Sequence, residues 1–349
     1  MQEPIKIGGQ EIQPGTRKSI HLPLPEFYNF APTVMTIHVV HGKQAGPRLL
    51  IASALHGDEI NGVEIIRRLL GHKSIDKIKG TLILIPVVNV FGFVSQSRYL
   101  PDRRDLNRSF PGSPKGSMAA RLANLIMTEI VPACTHVIDL HTGAVGRENL
   151  PQIRATLNGN TELQDLAQAF MVPVVLDANL RPGTFREAAH KAGIPSLVYE
   201  AGEALRFDEV SIRAGVTGVL NVLGHLEIIR KRTRKREHVS LTAKSSFWVR
   251  ASQSGVVRSL VALGARVAQD EILAHISDPL GEHAEEIKSP GAGIVIGRTR
   301  LPLVHEGEAI FHIARFSQTS EAANSVESFQ DEFDPITGTS DSDEPPVVG

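Results

Sequence analysis

The chain has 349 residues, 42% of them hydrophobic, with a formal net charge of −1 and a single cysteine. That length supports one large core and one smaller core, the near-zero charge gives no global field to draw nucleic acid, and one cysteine excludes a disulfide within the chain. No run approaches the roughly 18 apolar residues of a membrane-crossing helix and no apolar signal segment follows Met1, so a cytoplasmic protein is expected, with no membrane or nucleic-acid partner.

From residue 34 to 229, strand-like apolar runs alternate with stretches of helical periodicity. Strands are expected at 34–40, 49–54, 80–86, 136–140, 174–176 and 196–200, and helices at 61–71, 117–130, 161–170, 184–192 and 209–223. This alternation argues an α/β fold, a sheet covered on both faces by helices, over residues 1–230 with an N-terminal β segment. Cys134 falls in an expected buried strand beside His136 and is read as structural. Arg230 to Arg236 holds six cations in seven residues, which cannot be buried together, so 231–237 reads as a basic linker. No aromatic residues interleave with those charges to stack on bases.

Six short β-like pieces follow, at 246–251, 255–261, 271–276, 286–288, 293–298 and 309–314, separated by Gly and Pro. They predict a small all-β domain over 238–316. Residues 317–349 carry eight acids and no Lys or Arg, and are expected to form a disordered acidic tail.

Two strings carry chemistry: Ala54-Leu55-His56-Gly57-Asp58-Glu59 and Val137-Ile138-Asp139-Leu140-His141-Thr142-Gly143. Together they offer His56, Glu59 and His141, a set able to hold a catalytic Zn²⁺ with one position open. His-x-x-Glu recurs at His283/Glu286 and His305/Glu308, so spacing alone decides nothing. Context does. His56 lies between an apolar strand and a helical pattern, and His141 ends another strand, the edge at which open α/β sheets bind ligands. The other two pairs sit in charged stretches beside Gly and Pro, as solvated surface does.

Between the strings, the run from Arg98 to Gly112 is dense in Arg, Asp and Asn and bounded by Pro and Gly. A loop of this length in a compact domain is usually functional. An Asn-Arg pair offers forked donors to a carboxylate, and a further arginine can face an oxyanion. Glu200 ends the run Pro195 to Tyr199, where a carboxylate near zinc can move a proton. Glu203 is its rival.

His56-Gly-Asp-Glu59, Asp105-Leu-Asn-Arg108, Asp139-Leu-His141 and the Glu200 strand, in this order, resemble the succinylglutamate desuccinylase/aspartoacylase family, related to zinc carboxypeptidases. The resemblance covers roughly residues 30 to 230. It implies a zinc-carboxypeptidase-like mixed sheet, one Zn²⁺ per chain held by His56, Glu59 and His141, and Glu200 as general base. Arg98 is similar to the family's oxyanion arginine, and Asn107 and Arg108 to its carboxylate-binding pair. The stretch from Arg98 to Asp105 is longer here, so Arg103 or Arg104 competes for the Arg98 role. Asp139 is placed behind a ligand histidine, while Arg154 and Arg186 are further candidate substrate contacts. Residues 264–276 and 287–295 resemble a biotinyl/lipoyl hammerhead, but the hairpin between them lacks a lysine to modify, so a structural or gating role is expected. The function implied is deacylation of an N-acyl amino acid or similar small anionic amide, by a chain that can form a homo-oligomer. Two alternatives stay open: a metallocarboxypeptidase acting on acidic peptide C-termini, and a non-catalytic binding scaffold.

Overall fold

The computed structural model describes residues 2–28, 30–231 and 238–334. Thirteen strands hydrogen-bond into one sheet. In chain order they are β1 (Thr16–Leu24), β2 (Thr33–His41), β3 (Gln44–Ser53), β4 (Lys79–Ile85), β5 (His136–Gly143), β6 (Arg147–Ala155), β7 (Val174–Asp177), β8 (Ser196–Glu203), β9 (Leu241–Ala243), β10 (Ser245–Arg250), β11 (Arg266–Val267), β12 (Gly293–Thr299) and β13 (Ala309–Arg315). Neighbours run β10-β13-β12-β6-β8-β5-β3-β4-β2-β1, with β7 beside β6, β9 beside β7 and β11 beside β12. The centre is parallel, β8 to β5 to β3 to β4, and antiparallel pairs flank it.

Helices cover both faces: α1 (Asn61–Gly71), α2 (Val90–Val94), α3 (Met118–Glu129), α4 (Thr161–Phe170), α5 (Phe185–Lys191), α6 (Glu209–His225) and α7 (Thr319–Phe333). Successive strand side chains point to opposite faces. Leu49 and Ile51 therefore join the core under α1, α4 and α6, while Leu50 and Ala52 join the one under α3 and α5. This double burial is why the central strands read as unbroken apolar runs. Side-chain caps from Ser117, Asn160, Thr184 and Asp208 accept backbone N–H groups at the starts of α3 to α6, fixing where those helices begin.

The expected strands and helices are present, with shifted ends. β5 runs past His141 to Gly143 and β8 past Glu200 to Glu203. β6 was not legible, because Arg147-Glu-Asn-Leu-Pro-Gln-Ile-Arg-Ala155 has no sustained apolar run. It is a strand because β8 lies on one side and β7 and β12 on the other.

Five of the C-terminal strands, β9 to β13, join the main sheet. β12 pairs with β6 and β9 with β7, so the boundary drawn at residue 230 divides one continuous hydrogen-bonded layer. The remaining C-terminal strands form a four-stranded sheet, whose Leu273 and Ile276 share a core with Ile310 and Phe311 of β13. Of the basic linker, residues 232–237 lie outside the described residues.

The expectation of disorder from Ser317 onward is corrected over its first half. Thr319–Phe333 is a helix whose Ala322, Val326, Phe329 and Phe333 are buried. The acids mask an amphipathic spacing: Glu321, Glu327 and Asp331 face outward, and Phe329 enters the main core. Residues 335–349 lie outside the described residues. Among the described residues no helix is long and apolar enough to cross a membrane.

Candidate active site

The β3–α1 turn builds half of the site. Ala54 adopts φ 48° and reverses the chain after the strand. Gly57 follows where a Cβ would stand 2.0 Å from the Gly92 carbonyl carbon, so only glycine lets the turn press against the chain at α2. His56 and Glu59 are thereby driven inward, 3% and 2% exposed. His141 comes from β5, and its ligand atom, with those of His56 and Glu59, lies within a 4.8 Å span.

The two imidazoles meet the Glu59 carboxylate through Nδ1, each at 2.7 Å, one on each oxygen. Their Nε2 atoms point outward onto other carboxylates, His141 to Asp139 at 2.8 Å and His56 to Asp105 at 3.2 Å. Metal-bound histidines usually hold their second nitrogen this way. Burial opposes the charge on Glu59, yet His56 and His141 outweigh it and hold the carboxyl well below the usual range. Burial likewise opposes the His141 imidazolium, but Asp139 and Glu59 raise it well above an ordinary histidine. A field that favours positive charge among these donors also favours a divalent cation. Two neutral-capable imidazoles and one carboxylate, backed by two further carboxylates, fit zinc.

Around this centre lies a cavity of about 700 Å³, and ten of the residues singled out from the sequence line it: His56, Glu59, Arg98, Asn107, Arg108, Asp139, His141, Arg154, Arg186 and Glu200. Arg98 bonds Glu59 at 3.2 Å and Asp105 at 3.0 Å. Arg103 and Arg104 do not line the cavity and are exposed. Asn107 accepts the Phe185 N–H at 2.9 Å, tying the loop to the start of α5. Among the described residues the Arg108 guanidinium bonds the Asn107 carbonyl, at 2.5 Å, and has no carboxylate partner.

Glu200 lies opposite His141 in the β8–β5 register. Asn149 donates to one of its oxygens at 2.9 Å and Arg154 pairs with the other at 3.3 Å. Glu203 is turned away, accepting the Gly146 N–H at 2.9 Å and facing Arg206 at 3.4 Å. Arg186 donates to the Asn179 carbonyl, and one of its nitrogens is buried without a partner among the described residues. His283 and His305 are exposed. Cys134 is buried and, by burial, pushed up to about 12.

Sequence reasoning missed three contributions. Asp105 stands in the Asp105-Leu-Asn-Arg108 motif, but nothing in the sequence ties it to its partners His56 and Arg98. Asn149 lies on the unrecognised β6. Lys244, Ser246, Trp248, Arg298 and His312 reach the cavity from the C-terminal strands, and nothing local in the sequence marks them.

Comparison with known proteins fits this geometry. The chain is 26% identical over 310 residues to the N-alpha-acetyl-L-2,4-diaminobutyric acid deacetylase of Halomonas elongata, spanning 84% of this chain and 90% of that protein. The product-bound structure of the ectoine utilization protein EutE (DoeB) from Ruegeria pomeroyi superposes with a TM-score of 0.78 and 26% identity, covering 85% of this chain and 95% of that one. A succinylglutamate desuccinylase/aspartoacylase structure from Rhodobacter sphaeroides gives 0.77 and 26%, covering 86% and 96%. The model of the succinylglutamate desuccinylase/aspartoacylase catalytic domain matches residues 45–226; since that is more than half of the sequence, the chain belongs to this family.

Proposed function

We propose that this chain is a zinc-dependent amidohydrolase that removes the acyl group from an N-acyl amino acid or a similar small anionic amide. The observation that carries the reading is the buried convergence of His56, Glu59 and His141 with Glu200 in register beside His141. The deacetylase activity named for the Halomonas relative supports it.

His56, Glu59 and His141 would hold the metal, which when bound polarises the amide carbonyl and acidifies water. Glu200 takes the proton from the attacking water and returns it to the leaving nitrogen. Its hydrogen bond from Asn149 and its pairing with Arg154 orient the carboxylate for that exchange. Arg98, anchored by Glu59 and Asp105, supplies positive charge to the oxygen that gains negative charge during attack. Arg108, which has no carboxylate partner among the described residues, receives the substrate's carboxylate.

A peptide C-terminus presents the same carboxylate, so a metallocarboxypeptidase acting on acidic tails is the second reading, and the cavity has room for it. A non-catalytic scaffold would not need a buried ligand set together with a tethered glutamate. The deciding experiment assays zinc-loaded protein against a panel of N-acyl amino acids and short acidic peptides. Turnover confined to the acyl amino acids supports the proposal, and turnover confined to the peptides replaces it with the second reading.

A further inference from the structure

The C-terminal strands place a fixed pair of side chains on the cavity wall. His312 on β13 is 4% exposed. Its ring lies flat on Trp248, centroids 4.1 Å apart and planes 6° apart, the two residues facing each other across β10 and β13. Its Nε2 is 2.8 Å from the Ser246 hydroxyl, and its Nδ1 is buried with no hydrogen-bond partner among the described residues. Ser246 sits two residues from Trp248 on β10, hence on the same face. All three line the cavity. The Arg147 guanidinium also lies over the Trp248 ring, 5.7 Å from its centroid.

A neutral imidazole carries one N–H, placed by whichever nitrogen has a partner. On Nδ1 that proton would be buried without an acceptor, a costly arrangement. On Nε2 it points at the Ser246 oxygen. The charged form is opposed, first by burial and then by the neighbouring Arg154 and Arg181, which bring His312 down to about 3. The ring is therefore neutral near pH 7. Once Ser246 Oγ accepts from Nε2–H, its own hydrogen is available to a second acceptor. Arg154 and Lys244 line the same cavity, so an oxygen carrying negative charge is the acceptor this wall favours.

We propose that His312 is a positioning residue that, through Ser246, aims a hydroxyl donor from the C-terminal strands at an acceptor oxygen of the substrate. This rests on the amidohydrolase reading, and it assigns the C-terminal strands a part in recognition.

The test uses full-length, zinc-loaded protein and N-acetyl amino acids. Ser246→Ala raises KM by roughly ten- to a hundredfold, the worth of one hydrogen bond to a charged oxygen, with kcat nearly unchanged. His312→Phe keeps a flat ring on Trp248 but no N–H, and raises KM by the same factor. His312→Gln, whose amide N–H reaches to the Nε2 position, restores it. The double variant His312→Phe/Ser246→Ala is no worse than either single one, because both remove the same donor. Zinc content and melting temperature stay at wild-type values throughout, and the ¹⁵N shifts of His312 place its proton on Nε2. An N-acetyl amine without a carboxylate identifies the acceptor: an equal Ser246→Ala loss assigns the acyl carbonyl, and no loss assigns the carboxylate. Unchanged KM for Ser246→Ala on both substrates, additive losses in the double variant, or a proton on Nδ1 overturns the proposal. If the wild-type protein hydrolyses no amide, the amidohydrolase reading fails instead, and the same variants are then compared by the Kd for N-acetyl amino acids, with the tautomer measured alongside.

Discussion

Glu200 stands abreast of His141 on the adjacent parallel strand β8, register partners at the point where β5 delivers the histidine to the candidate metal-binding cluster. A parallel pairing carries no hairpin to set it, so their closeness comes from the packing of the whole sheet. The proposed base is therefore held by backbone next to the chemistry, and its side chain is free to differ by one atom without loss of fold.

Glu200→Gln is expected to retain zinc and the wild-type melting curve while kcat falls by roughly 10² to 10⁴, the usual worth of a positioned general base. Glu203→Gln, which alters a carboxylate bonded to Gly146 and Arg206, should leave kcat within a few-fold. Steady-state kinetics with metal analysis on both variants checks this; the opposite ranking moves the base to Glu203.

For the metal, about one zinc per chain is expected from a single three-ligand site. His56→Ala and His141→Ala should lose it, whereas His283→Ala and His305→Ala, both altering exposed histidines, should not. Because a ligand bound only by the folded state stabilises it, chelation should also lower the wild-type melting temperature and leave that of His141→Ala unchanged. Full occupancy in both single-ligand variants would remove the assignment.

Arg108→Lys keeps the charge but loses the planar fork. A charge-assisted contact is worth about 1.5 to 3 kcal/mol, so kcat/KM should drop roughly ten- to a hundredfold on a substrate with a free carboxylate. On the amidated analogue the change should be small. Equal losses on both would mean that Arg108 supports the loop and does not select the anion.

Helix α7 should be structural. Phe329 is fully buried in the main core, and Phe329→Ala should cost about 3 to 5 kcal/mol, the usual penalty for emptying a buried aromatic site. Denaturant unfolding measures it directly. A cost under 0.5 kcal/mol would return this segment to the status of a dispensable tail.

Acid sensitivity has a readable source away from the candidate ligands. Arg67 hydrogen-bonds the Glu64 carboxylate, and, with burial opposing and Arg68 assisting, holds it below its ordinary value of 4.5. A carboxyl depressed in the folded state contributes stability above its unfolded pKa and loses it as pH falls through the folded one. Glu64→Gln should therefore be less stable than wild type at pH 7, with the gap closing below about pH 4.5. Melting temperatures measured from pH 7 to pH 3 follow this; a gap that persists undiminished at pH 3 would assign the effect to packing.

The sequence by itself determined what local periodicity and strand-end position can encode. Unbroken apolar runs marked β3, β5 and β8 because both of their faces are buried, and helical spacing marked α1, α4 and α6 to within a residue or two. Since α/β sheets gather ligands at strand ends, His56, Glu59, His141 and Glu200 could be named from their places after such runs. Tertiary structure decided whatever depended on a partner distant in the chain. β6 has no apolar run of its own and is a strand only between its neighbours, so Asn149 could not be foreseen as the donor to Glu200. Asp105 is assigned to His56 only where the loop folds back over the β3–α1 turn. Phe329 and Phe333 looked like parts of an acidic tail until a core existed to receive them. His312 and Ser246 enter the cavity because β12 pairs with β6, and hydrogen bonding between strands far apart in sequence leaves no local trace in composition or spacing.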